Sequence, residues 1–282
     1  MSNKQCSILI VLFSLFIVNC SSAPPVTLET SATRNMALGE LNRANQAANR
    51  GRFEEALYIV QEAQRLAISV DDPSLRLRTS ISLGDILFSL GHEDLAFSQW
   101  EGAAAEADAS SEPVFAALAQ IHTIRASLLS GRGTAASHKA NLDLLFPSVR
   151  SDNSASAVWY IALGIAEKEL ENWSEAETAV RRALDIYERA LRLEDAAYTW
   201  FLVASIRSLA GNYDEALDAL RRSINIDRRV ENGFGLASSW QAMGDVYQKV
   251  GRAEESDTAW RRAAQIYRAI GLNERAEKLE NR

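Results

Sequence analysis

From residue 35 onward apolar positions recur three and four residues apart, as at Leu77, Ile81, Gly84, Leu87 and Phe88. That spacing is one face of an α-helix and not the alternation of a strand, and no stretch of the chain predicts a sheet. When segments that follow a turn residue are aligned, the pattern repeats in steps of forty: GRFEEALYIVQEA from Gly51, GHEDLAFSQWEGA from Gly91, GRGTAASHKANLD from Gly131, ENWSEAETAVRRA from Glu171, GNYDEALDALRRS from Gly211 and GRAEESDTAWRRA from Gly251. The fifth residue after each start is small: Ala56, Ala96, Ala136, Ala176, Ala216 and Ser256. Twelve residues earlier stand Ala44, Gly84, Ile124, Gly164, Ala204 and Gly244, and seven later Ala63, Ala103, Asp143, Ala183, Ser223 and Ala263. Two antiparallel helices approach closely where small residues face each other and larger apolar ones fill the flanking holes. Each glycine supplies a left-handed residue that ends the first helix. Acids such as Glu54, Glu55, Glu93, Asp94, Asp214 and Glu215 complement the dipole of the next.

The order small residue, glycine turn, aromatic or charged pair, alanine, aromatic resembles the tetratricopeptide repeat. It is clearest in LGDILFSLGHEDLAFSQWEGA (83–103), LGIAEKELENWSEAETAVRRALDIY (163–187), VASIRSLAGNYDEALDALRRSINID (203–227) and MGDVYQKVGRAEESDTAWRRAAQIY (243–267). The resemblance covers residues 35–272 and implies an all-α, right-handed superhelical solenoid of about six antiparallel helix pairs with a 40-residue period, longer than the usual thirty-four. Repeat three, GRGTAASHKANLDLLFP, lacks the acids and aromatics and is expected to be irregular. Asp72-Pro73 and Asp152-Asn153-Ser154 offer helix starts, and residues 273–282 are expected to form a polar cap.

The N-terminus carries a different signal. Lys4 precedes an apolar run from Ser7 to Val18, then Asn19, Cys20 and a Ser/Pro-rich tract, the layout of an export signal. Twelve helical residues reach ~18 Å, short of the ~30 Å hydrocarbon layer. Ile17-Val18-Asn19-Cys20 resembles a bacterial lipobox, although Ile17 and Asn19 depart from its usual Leu and Gly, Ala or Ser. The resemblance implies cleavage after residue 19, lipid on Cys20 and, because Ser21 is not aspartate, an outer-membrane address facing the periplasm. The same residues also read as a plain secretory signal or an uncleaved anchor. Residues 21–34, with adjacent prolines and no apolar period, read as a flexible linker.

Composition narrows the function. A net charge of -7 disfavours nucleic acid. Cys6 and Cys20 are the only cysteines, so the repeats hold no thiol for a disulfide, metal or nucleophile. His92-Glu93 opens an HExxH-like string, but Ala96 stands where the second histidine belongs. His122 and His138 have no carboxylate cluster between them, Gly131-Arg132-Gly133 lacks the context of a phosphate loop, and no GxSxG occurs. No cofactor, metal or catalytic site is expected. Arg181-Arg182, Arg221-Arg222 and Arg261-Arg262 recur at the period, and acids four residues earlier make a solvated face the simpler reading than a basic stripe. Trp100, Trp173, Tyr187, Tyr213, Trp260 and Tyr267 read as core.

By the same resemblance the concave face, built from the first helix of each pair, receives a peptide or protein segment. The expected lining is Asn45, Arg78, Asp85, Arg125, Ile161, Lys168, Tyr198, Phe201, Gln241 and Asp245. A carboxylate clamp needs lysines and asparagines at the residue after each small one and three before it, and of these only Asn45 is present. The expectation is a non-enzymatic, lipid-anchored envelope scaffold that binds another protein, with a peptide-sensing regulator as the alternative.

Overall fold

The computed structural model describes residues 29–282, so the apolar leader, Cys6 and Cys20 lie outside the described residues. Among the described residues thirteen α-helices follow one another: α1 Glu29–Asn49, α2 Phe53–Ser69, α3 Pro73–Ser89, α4 Glu93–Ala109, α5 Pro113–Leu129, α6 Ala135–Val149, α7 Asn153–Glu169, α8 Trp173–Arg189, α9 Leu193–Leu209, α10 Tyr213–Arg229, α11 Gly233–Lys249, α12 Ala253–Ala269 and α13 Asn273–Glu280. Successive helices pair as antiparallel hairpins that stack side by side, the architecture of a helical solenoid. No described helix is long and apolar enough to cross a membrane.

The punctuation is denser than the glycines suggest. A residue with positive φ closes a helix at Gly51, Asp71, Gly91, Ser111, Gly131, Glu171, Leu191, Gly211, Glu231, Gly251 and Gly271. After most of them the following N–H reaches back five residues into the helix, as in Arg52 N to Ala47 O at 2.9 Å, Arg192 N to Tyr187 O at 2.9 Å and Leu272 N to Tyr267 O at 2.8 Å. The same cap therefore ends both helices of a hairpin, with or without glycine. Asp72 and Asp152 accept the N–H of Leu75 and Ala155 at 3.0 and 2.9 Å, as N-caps do.

Five of the six hairpins are closed by a small residue under a larger one, the third, with Ile124 and Ala140, being the exception. Trp100 lies against Gly84 and donates Nε1–H to Ile81 O at 3.2 Å. Trp260 lies against Gly244, and a Cβ at Gly164 would stand 3.1 Å from Val180 Cγ2. Alanine accompanies a smaller partner: Ala44, Val60, Ala204 and Leu220 are all buried. The volume missing from one helix is present on the other, as close packing requires.

Three expectations need correction. Ala136 is exposed, because α6 starts two residues late, behind Gly133 and the N-cap Thr134, and His138 takes the fourth helical position that Ala56 and Ala96 hold elsewhere. The linker read to residue 34 ends earlier, since α1 begins at Glu29. Its first turns carry no apolar period, and what fixes the helix is distant: Ala37 and Leu38 pack on Leu66, Ala67 and Leu75, and Arg34 pairs with Asp72 at 2.6 Å. The third correction concerns Ile161, described with the groove below.

The stack also meets itself. Phe53 and Phe234 pack edge to face at 5.3 Å, Arg50 pairs with Glu231 at 3.2 Å, and Ile270 reaches Gly51, where a Cβ would stand 2.7 Å from its Cδ1. At Gly91, Gly211 and Gly251 no such neighbour exists. The first hairpin therefore touches the last, and the circuit of hairpins closes.

Gly39 and Gly84 are both helical, and a methyl group at Gly39 meets nothing within 4 Å. Gly39→Ala is expected to raise stability by up to ~1 kcal/mol through helix propensity, and Gly84→Ala to lower it by ~1–3 kcal/mol by displacing the pinned Trp100. Urea melts of the two variants should shift in opposite directions. Phe53→Ala should raise the radius of gyration in solution scattering while helicity stays near wild type, since it loosens the closing contact.

Candidate binding groove

The inner surface follows from helical geometry. On the first helix of each pair, positions four, three and four residues apart fall on one stripe: Arg78, Ser82, Asp85 and Ser89 on α3; Leu118, His122, Arg125 and Leu129 on α5; Tyr198, Leu202, Ser205 and Leu209 on α9. Leu129 and Leu209 are about half exposed and Tyr198 is 40% exposed. Exposed apolar side chains facing inward are the surface a partner segment can bury.

At its centre three polar side chains meet across two hairpins. Asp85 Oδ1 lies 2.7 Å from His122 Nδ1 and 3.1 Å from Arg125 Nη2. A carboxylate only accepts, so Nδ1 carries the hydrogen. Burial pushes the Asp85 carboxyl up, but His122 and Arg125 outweigh it and hold it below its ordinary value. Arg125 also lies within electrostatic reach of Tyr198, Tyr187 and Asp195 on α8 and α9. Residues of hairpins three, four and five thus share one field.

Of the residues expected to line this groove, Asp85 and Arg125 are brought together. Asn45 is exposed on α1 and accepts from Ser82 Oγ at 2.7 Å. Arg78 is exposed, 5.8 Å from the Phe115 ring. Tyr198 and Phe201 are stacked at 6.4 Å. Lys168 is largely covered and pairs with Glu169 at 3.1 Å. Gln241 accepts from Tyr267 OH at 3.3 Å, and Asp245 holds Trp260 Nε1 at 3.0 Å and pairs with Arg282. Ile161 is 2% exposed and belongs to the core. It falls four residues before Ile165, on the flank packed against α8, where Phe201 and Gln241 at equivalent positions are half covered. His122 is the residue that sequence reading set aside. Its stripe position, forty residues after Ser82 and eighty before Leu202, is the signal that places it here.

A second buried carboxylate lies outside the groove. Asp227, 1% exposed at the end of α10, accepts from Asn232 Nδ2 at 2.7 Å and Ser223 Oγ at 3.3 Å. Burial raises its pKa to about 7. The network fixes the turn that carries Glu231 and Phe234 to the closing contact.

The fold and groove define a class, a solenoid of helical hairpins with a concave receptive face. Residues 156–192 and 194–269 match two family models described as tetratricopeptide repeat, which supports a tetratricopeptide-repeat protein. No curated protein matches the chain. Among solved structures, a Rap protein complexed with Competence and Sporulation Factor is 13% identical, covering 89% of this chain and 76% of that one, with a TM-score of 0.58. BtubC from P. vanneervenii is 19% identical, covering 82% and 92%, with a TM-score of 0.53. The STAND signal-transduction ATPase with a tetratricopeptide repeat sensor from Pyrococcus horikoshii is 11% identical, covering 88% and 42%, with a TM-score of 0.50. At these identities the likeness is one of fold. Such repeats typically form scaffolds without catalysis.

The two carboxylates predict opposite pH effects. The native Asp85 binds its proton less tightly than the unfolded chain, so it adds stability above about pH 4 that is lost as pH falls. Asp85→Asn should lower the melting temperature at pH 7, with the gap closing on acidification. Native Asp227 binds its proton more tightly, so stability falls as pH rises toward about 7. Asp227→Asn should raise the melting temperature relative to wild type, with a gap that widens up to neutral pH and then levels off.

Proposed function

We propose that the protein is a non-enzymatic scaffold of the bacterial envelope that holds a segment of another protein in its concave groove. The observation that carries this reading is the groove's mixed lining: half-exposed Leu129, Leu209 and Tyr198 beside the Asp85–His122–Arg125 cluster. The apolar side chains supply the area a partner segment buries, and the polar cluster fixes its orientation. An acidic C-terminal tail is a poor fit, because Arg125 is already paired with Asp85. Cys20, following its lipobox-like residues, carries the lipid that tethers the scaffold without spanning the bilayer, and Ser21 directs it to the outer membrane. A pair of lipid chains holds such a tether stably.

A second reading, a peptide-sensing regulator, is favoured by the likeness to the Rap protein solved with Competence and Sporulation Factor and to the repeat sensor of the ATPase. In it the groove would take a short free peptide instead of a partner domain, and the leader would have no role.

Fractionation separates the two. With the scaffold, the full chain sediments with outer membranes, Cys20→Ser moves it to the soluble fraction, and in-cell cross-linking recovers one protein whose yield drops several-fold in Arg125→Glu/Tyr198→Ala. Wild type that is soluble with or without Cys20, or a cross-linked partner indifferent to the groove variant, would sink the reading.

A further inference from the structure

The outer surface repeats a second motif, and one copy is incomplete. Second helices of successive hairpins leave a cleft between them, floored by an aromatic residue from the first helix below. Between α8 and α10 the floor is Trp200, and acids of the same chain serve its indole and two of the three arginines around it. Arg222 stacks on the ring at 4.8 Å and Arg181 flanks it at 5.8 Å. Arg181 and Arg207 share Glu177 at 2.7 and 2.9 Å, and the indole Nε1–H points to Glu188 at 3.4 Å.

Forty residues on, the cleft between α10 and α12 has the same floor and one of the same stacks: Arg262 lies 4.7 Å over Trp240. The acids are gone. Leu217 stands where Glu177 stood, Asn225 where Asp185 stood, and Arg228 where Glu188 stood. Arg228 and Arg262 form no ion pair, and the Trp240 Nε1–H no hydrogen bond, among the described residues, while Arg221 pairs only with Asp218 beside it on α10. What remains is an open cleft of about 750 Å³ with an apolar floor that includes Met243 and Tyr247. Arg228, Arg262 and the Trp240 indole leave their donors unpaired among the described residues, and the neighbouring cleft shows which acceptor fits: a carboxylate seated on the edge of a tryptophan.

We infer that this outer cleft is a second docking site, taking an acidic segment of a partner protein whose carboxylates replace the missing glutamates and whose apolar side chain packs on Trp240 and Met243. Charge-assisted bonds from arginine give such a contact its strength and orientation. Glu254 and Glu255 line the cleft on the α12 side. They restrict the acidic stretch to a few residues, which disfavours a continuous polyanion such as nucleic acid. The site lies on the opposite side of the hairpins from the concave groove and stands independently of the proposal made for that groove.

The test uses the full chain against arrays of labelled peptides in which Leu- and Trp-containing sequences carry Glu, Gln or Lys at fixed positions. Wild type should retain the Glu series selectively, and more weakly at high salt. Arg228→Glu and Arg262→Glu should each lose about tenfold or more in affinity, with unchanged helicity because both side chains are exposed. Arg182→Glu, outside the cleft, and Arg125→Ala, in the groove, should bind as wild type. No preference for Glu over Gln, a preference that survives Arg228→Glu, or loss only in Arg125→Ala would overturn the site. So would a single-stranded oligonucleotide that binds more tightly than any Glu peptide with the same variant sensitivity.

Discussion

The close approach of two antiparallel helices over a single missing side chain is what the rest of this molecule depends on. Gly84 under Trp100 and Gly244 under Trp260 let the helix axes come near enough for one indole to fill the interhelical space and still reach a polar partner. Where the small residue is alanine, the opposing residue shrinks to valine or leucine. Hairpins built this way present nearly identical flanks, so each stacks on the next, and small angular differences add up along the chain. Stability in such arrays is a sum of hairpin and neighbour terms. A fault in one pair is felt mainly by its two neighbours.

The accumulated curvature is sufficient for the first hairpin to reach the last, and this changes the meaning of the concave face. An open groove lets distant side chains act separately. Here Arg125 on α5 shares a field with Tyr198 and Asp195 on α9, and a segment bound inside would touch several hairpins at once. The closing contact is small, made by Phe53 on Phe234, Arg50 with Glu231 and Ile270 over Gly51. A partner could open it at modest cost while leaving every hairpin intact.

Charge is distributed by the same logic of repetition and exception. Most arginines are satisfied within the chain by acids three or four residues away or by aromatic faces. Asp85 is satisfied across hairpins, and Asp227 is covered at the end of α10 with its carboxyl shifted toward neutrality. In the last outer cleft the repeat keeps its tryptophan and arginine and drops its acids, and internal comparison makes that departure visible.

The sequence by itself determined the helices, their turns and their pairing. These depend on contacts within about twenty residues, between small and large side chains, glycines and acids at helix starts, and the forty-residue step displays them directly. It also placed Asn45, Asp85 and Arg125 on a single stripe, since helical periodicity alone assigns a face. Tertiary structure decided what that periodicity cannot carry. Ile161 turned out to be core and His122 to be lining, because a few tens of degrees around a helix separate the two. Two extra loop residues moved Ala136 to the surface and put His138 in its place. The first turns of α1 form on contacts with Leu66, Leu75 and Asp72, beyond any local signal. The meeting of residues 50–53 with 231–234 came last, because curvature is a sum over all six hairpins and no single repeat encodes it.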